Sequence, residues 1–143
     1  MAIDMTGDMQ VIDTAGADGV VCLLGTATSD GAPQISPKGS MMVFDATRLA
    51  YWERAGRTAL RNLGENNKVV VYYRNSAKTE RFPNGAVWRF YGTAEVLTEG
   101  ELRDQVYDRT VPNEQEKDPD KAGAAVIIHV GRITDLGGNV IQD

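Results

Sequence analysis

The chain of 143 residues has one cysteine, Cys22, and one histidine, His129. A single cysteine cannot form an intramolecular disulfide or build a zinc site on several thiolates. A single histidine excludes any two-histidine metal motif within one chain. Low cysteine use fits a reducing, cytoplasmic setting. The opening MAIDMTGDMQ is acidic and carries no apolar core, so it does not read as a secretory signal. No apolar run approaches the ~20 residues that a membrane helix needs. A net charge of -5 argues against nucleic acid as the partner, because phosphate backbones select a basic face.

Hydrophobic residues at 42% and charged residues at 24% match ordinary globular proteins. A chain of this length buries roughly two-thirds of its unfolded surface, enough for one core. A single domain over residues 1–143 is therefore expected.

The periodicity predicts mainly β structure with flanking helices. Met5, Met9 and Ile12 have helical spacing, so a short amphipathic helix is expected over residues 4–13. Strands are expected over 20–28, 33–43, 49–52, 68–73, 86–97 and 124–133. Ser29-Asp30-Gly31 reads as a hairpin turn between the first two. Pro37 lacks an N–H, which places the second strand at an edge or a bulge. Helices are expected over 58–65, with Thr58 as N-cap, and over 101–109. Residues 111–123 read as a solvated acidic loop, and a tail starts at Gly137. Strands that arrive as hairpins before any long helix favour an antiparallel sheet or barrel.

Charge is unevenly spread. Between residues 34 and 62, Lys38, Arg48, Arg54, Arg57 and Arg61 oppose only Asp45 and Glu53, a local balance of +3 within a chain of net -5. Such an island either binds an anion or is a solvated face. Its placement favours the anion. Arg54-Ala-Gly-Arg-Thr58 falls where a strand turns into a helix, with Gly56 for the turn, Arg57 as a forked cation and unpaired helical N–H groups. No Walker or dinucleotide glycine motif is present. In Gln34-Ile-Ser-Pro-Lys-Gly-Ser40, the residues Ser36, Lys38 and Ser40 alternate and should share one face of the second strand. Pro37 and Gly39, poor strand formers, mark a place where backbone can meet a ligand.

These segments, with Leu49-Ala-Tyr-Trp52, residues 56–69 and Trp88-Arg-Phe-Tyr-Gly-Thr-Ala-Glu-Val96, resemble the pyridoxamine 5'-phosphate oxidase-related FMN-binding split barrels. The resemblance spans nearly the whole chain and rests on the order and spacing of its motifs. It implies a six-stranded antiparallel split β-barrel, a homodimer, and one FMN in each of two interfacial clefts. It implies that Ser36, Pro37, Lys38, Gly39 and Ser40 line the ring and ribityl chain, with Lys38 able to reach the phosphate. It places Arg54, Arg57 and Thr58 on the phosphate, with Arg61 as a substitute for Arg57. Trp52 would sit near the cofactor, and Trp88 and Arg89 would approach from the partner subunit. The final residues lack the Arg-Leu-x-Pro-like ending associated with the true pyridoxamine phosphate oxidases, a departure from the pattern that goes with vitamin B6 oxidation. The implied function is flavin-dependent hydride or electron transfer on a small molecule, with NAD(P)H as a candidate donor. A flavin-binding sensor or carrier, and a deazaflavin F420- or haem-binding split barrel, are the alternatives.

His129 reads as a hydrogen-bonded barrel histidine, and Cys22 as an inert core thiol. No general acid or base stands out in the sequence.

Overall fold

The computed structural model describes residues 2–54 and 58–143. Among these described residues, eight strands form one antiparallel sheet. They are β1 (Cys22–Ala27), β2 (Pro33–Lys38), β3 (Met42–Val43), β4 (Arg48–Glu53), β5 (Lys68–Asn75), β6 (Ala86–Leu97), β7 (Ala124–Thr134) and β8 (Val140–Gln142). The helices are α1 (Thr58–Glu65), α2 (Glu101–Arg109) and α3 (Pro112–Gln115), preceded by a 3-10 turn over Asp8–Thr14. The expected helices over 58–65 and 101–109 and the expected strand over 86–97 form with those bounds. Each carries its own periodic signal, so local sequence suffices.

The strand order is β2-β1-β5-β6-β7-β4-β3, with β8 added on β7. Here lies the main correction to the expected six strands. The run 33–43 breaks after Lys38, because its two halves pair with opposite ends of the sheet. Lys38 pairs with Cys22 on β1, whereas Met42 pairs with Ala50 on β4. Only residues 39–41 separate them, and such a link spans at most about 14 Å. The two edges of the sheet must therefore lie close together, so the sheet curls into a split barrel. The seam between them sits at the Gly39–Ser40 turn. The expected tail also folds back. Asp135 accepts the Asn139 N–H at 2.9 Å, and β8 completes a hairpin with β7.

Pro37 stands on the edge strand, as its missing N–H requires. The Ser29–Gly31 turn is closed by Thr28 N–H to the Ala32 carbonyl at 3.0 Å, with Gly31 at φ 91°. Only glycine takes that conformation cheaply.

The concave face buries Leu24, Leu49, Tyr51, Val71, Phe90, Val126 and Ile128, among others, and Met5, Met9 and Ile12 of the N-terminal segment cover it. A second, smaller cluster joins Trp52, Ala50 and Ile127 to Val106 and Tyr107 of α2 on the opposite face. This explains why residues 124–128 are buried without alternation: α2 covers the side that would otherwise meet water. Helix α1 docks on β1 through a buried hydrogen bond, Asn62 Nδ2 to Thr26 Oγ1 at 3.0 Å.

Residues 111–123 are more ordered than a solvated loop. They contain α3, and Asp118 is buried. His129 is hydrogen-bonded as expected, to Glu95 Oε1 at 3.1 Å, but its side chain faces outward and is half exposed. No helix among the described residues is long and apolar enough to cross a membrane.

Candidate functional site

A cleft of about 320 Å³ opens at the barrel seam. Its walls are the end of β2 (Gln34, Ser36, Pro37, Lys38), the Gly39–Ser40 turn, the end of β4 (Trp52, Glu53) with Arg54, the start of α1 (Thr58, Ala59), and Glu114 of α3. The volume lies at the lower end of the ~300–1,000 Å³ usual for small-molecule sites. Pro37, Gly39, Arg54 and Thr58 are exposed along its rim.

Eight of the twelve residues expected from the sequence line this cleft: Ser36, Pro37, Lys38, Gly39, Ser40, Trp52, Arg54 and Thr58. Arg57 lies outside the described residues, as does Gly56. Arg61 is on α1 but does not line the cleft; one of its contacts is a hydrogen bond from Nη2 to Thr58 Oγ1 at 3.0 Å. Trp88 sits in the core of its own chain, stacked on Tyr73 at 5.7 Å between ring centres. Arg89 donates to the carbonyls of Asp135 and Leu136 at 3.0 and 2.9 Å. Neither Trp88 nor Arg89 lines the cleft of its own chain.

Strand alternation points Gln34, Ser36 and Lys38 inward, while Ile35 and Pro37 face out. Ser40 departs from the expected common face, because the strand ends at Lys38. Its hydroxyl instead accepts the Trp52 backbone N–H at 3.0 Å and donates to the Trp52 carbonyl at 3.2 Å. This clip fastens the turn to β4. The Ser36 hydroxyl accepts from Gln34 Nε2 at 3.0 Å.

The charge pattern differs from the sequence-level island. Lys38 Nζ is 2.6 Å from Glu53 Oε2, and the side chains are 10% and 4% exposed. Lys38 also lies 5.4 Å from the centre of the Tyr51 ring. Burial first, and then the Glu53 charge, pushes the Tyr51 hydroxyl well above its ordinary pKa. Glu114 Oε2 pairs with Lys117 at 2.8 Å, and its other oxygen rests where a Cβ on residue 39 would be. Glycine at 39 is what lets the carboxylate approach that closely.

Trp52 forms part of the wall and is itself held from behind. Its indole N–H donates to Asp118 Oδ2 at 2.8 Å, and its ring meets Tyr107 edge-on at 4.9 Å. Asp118 also accepts the backbone N–H groups of Ala122 and Gly123, both at 2.9 Å. Burial raises the Asp118 carboxyl, but these three donors and the Arg103 charge outweigh it and hold the group below its ordinary pKa.

Glu53, Glu114 and Asp118 were not singled out by sequence as site residues. Glu53 had a readable signal: it follows Leu49 and Tyr51 at alternate positions, which puts a charge on a buried face. Glu114 and Asp118 had none, being joined to the cleft only by tertiary folding.

A split barrel with a polar cleft at its seam is thus the class that the fold and the site define. The family model for pyridoxamine 5'-phosphate oxidase matches residues 14–135, and the chain belongs to that family. No curated protein matches it. Among solved structures it is similar to HupZ of group A Streptococcus, 26% identical with a TM-score of 0.70, covering 92% of this chain and 99% of that one. An FMN-binding protein from Syntrophomonas wolfei shares the fold at 16% identity and a TM-score of 0.69, covering 89% of this chain and 84% of that one. A heme binding protein from Mycobacterium smegmatis shares it at 17% identity and a TM-score of 0.67; 90% of this chain matches 53% of that one.

Proposed function

We propose that this chain is an FMN-binding flavoprotein that acts as a homodimeric oxidoreductase on a small molecule. The observation that carries this reading is the convergence of eight expected residues, from β2, β4 and α1, on one cleft. The family and the fold shared with an FMN-binding protein support it.

The residues present suit the cofactor. Ser36, Lys38 and the Gly39–Ser40 turn offer hydrogen-bonding groups to the ring and ribityl chain. Arg54, Thr58 and the first N–H groups of α1, with Arg57 in the connecting segment, suit the phosphate. Bound FMN would supply the hydride or electron transfer. The protein's share is to bind, orient and shield. Trp52, fixed by Asp118, keeps one wall in place, and the barrel closes the cleft from below. A second subunit would cover the open rim.

The haem-binding relative raises a second reading. The cleft weighs against it, since none of its described lining residues is a His, Cys, Met or Tyr that could serve as an axial ligand, and His129 points outward elsewhere. The visible spectrum and the mass of any co-purified group separate FMN, F420 and haem. Flavin bands, or saturable binding of added FMN, are expected. A colourless protein that binds no FMN would sink the proposal. Reduction of bound flavin by NADH or NADPH would identify an enzyme; tight binding without reduction would identify a sensor or carrier.

A further inference from the structure

A second cavity shares no described lining residue with the seam cleft. Its volume is about 240 Å³, and it opens where the β5–β6 hairpin meets the N-terminal segment. Tyr73 and Asn75 of β5, Ala86 of β6, Phe82 of the connecting loop, and Val11 and Asp18 of the N-terminal segment line it. The loop wall is fixed by its own hydrogen bonds. The Thr79 N–H donates to the Phe82 carbonyl at 3.0 Å, and the Phe82 N–H donates to Thr79 Oγ1 at 2.9 Å. Arg81 clasps this loop to the N-terminal segment, donating to Asp8 Oδ1 at 3.0 Å and to the Gly7 carbonyl at 2.9 Å.

One polar group in this cavity is unanswered. Tyr73 is wholly buried, and its hydroxyl has no hydrogen-bond partner. Burial raises the pKa of that hydroxyl; the Asn75 side chain opposes the shift, and the Asp18 charge adds to it. Both lining groups therefore stand near the hydroxyl, yet neither completes a hydrogen bond to it. Asn75 Oδ1 already accepts the Ala77 N–H at 3.0 Å. A buried hydroxyl without a partner costs free energy, and most such groups are answered by a water or a ligand.

The remaining chemistry narrows the ligand. The Tyr73 ring stacks on Trp88, and Phe82 meets the same indole edge-on at 6.0 Å, so the aromatic surface is held from behind. A dry cavity of about 150 Å³ takes benzene, so the larger space here suits one ring with a short chain. The uncompensated charge at the mouth is acidic. Arg81 is paired with Asp8, whereas Asp18 has no cationic partner among the described residues; its Oδ2 accepts the Thr14 hydroxyl at 2.9 Å. A carboxylate and a hydroxyl oxygen beside an aromatic surface complement an ammonium group on an apolar body.

We propose that this cavity is a second binding site, for a small primary amine carried on one aromatic ring, with the ring against Phe82 and Tyr73 and the ammonium between Asp18 and the Tyr73 hydroxyl. The site does not depend on which group fills the seam cleft.

The test uses three probes with one ring and different charge: phenethylamine, 2-phenylethanol and phenylacetate. Each is titrated into the isotope-labelled protein as isolated, at low salt, and followed by backbone amide NMR shifts. Saturable shifts are expected at Val11, Asn75, Phe82 and Ala86. The amine should bind more tightly than the alcohol by about twofold to fivefold, as an exposed ion pair allows, and phenylacetate should bind weakest. Asp18→Asn keeps an acceptor for Thr14 and should erase the advantage of the amine while leaving the alcohol unchanged. Tyr73→Phe should weaken the amine by about threefold or more and melt no lower than wild type, since the lost hydroxyl had no partner. Four results would overturn the proposal: no saturable shift at these amides with the amine, shifts centred instead on Gly39 and Trp52, phenylacetate binding as tightly as the amine, or wild-type amine affinity in both variants. Should Tyr73→Phe fail to fold, the exposed Asp18→Asn decides alone, and an undiminished preference for the amine in it counts against the site.

Discussion

The indole N–H of Trp52 and the carboxylate of Asp118 lie 66 residues apart in sequence and 2.8 Å apart in the structure. One partner ends a barrel strand and lines the cleft. The other sits in the segment after α3 and is buried. The bond ties the segment that carries Glu114 to the wall that carries Trp52.

Asp118→Ala leaves the Trp52 indole and the two amides of Ala122 and Gly123 without their acceptor. A loss of about 2–4 kcal/mol is expected from unmatched buried donors, read as a lower urea midpoint at pH 7. The native carboxyl is held below its ordinary pKa, so its stabilisation is present above about pH 4 and drains away as pH falls through the native value. Asp118→Asn should therefore be less stable than wild type at pH 7 and lose less on acidification. Parallel stability curves for the two proteins down to low pH would contradict this.

Gly92 and Gly39 are both closely approached, but by different kinds of atom. A Cβ at 92 would strike the backbone carbonyl of His129 on the neighbouring strand, beside the register shift between β6 and β7. Backbone in a paired sheet cannot give way cheaply, so Gly92→Ala should cost about 1–3 kcal/mol. A Cβ at 39 would meet only the end of the Glu114 side chain, which can swing aside. Thermal melts should show a clear drop for Gly92→Ala and a small one for Gly39→Ala. Equal drops would mean that Glu114 is fixed.

Asn62 and Thr26 make a buried side-chain bond between α1 and β1. Removing one partner strands the other, so Asn62→Ala is expected to cost about 1–3 kcal/mol. Replacing both partners by apolar residues of similar shape, as in Thr26→Val with Asn62→Leu, should recover most of that loss. Denaturant midpoints of the single and double variants decide it.

Cys22 is 1% exposed. Burial, and then the nearby Asp13 charge, pushes its thiol up to about 12. At pH 8 it is almost wholly protonated and shielded. Iodoacetamide should leave it unlabelled in the native protein and label it fully in denaturant. Fast native labelling would show that β1 opens readily.

Much of the fold was legible because its signals are local. Alternation in 86–97 and helical spacing in 58–65 and 101–109 need no distant partner to be read. The sequence by itself determined those elements, the edge-or-bulge choice for the Pro37 strand, and the segments that would supply the cleft. It could not show that the run 33–43 serves both edges of the sheet, since register depends on β1 and β4. It also could not show the charge of the site. The island between 34 and 62 is basic when counted along the chain, yet Lys38 is neutralised by Glu53, and Glu114 arrives from α3. Local patterning sets which residues form a strand or helix, because that depends on neighbours a few positions away. Which charges face one another, and which wall Asp118 braces, only the tertiary structure decided, because curling the sheet joins residues that no periodicity connects.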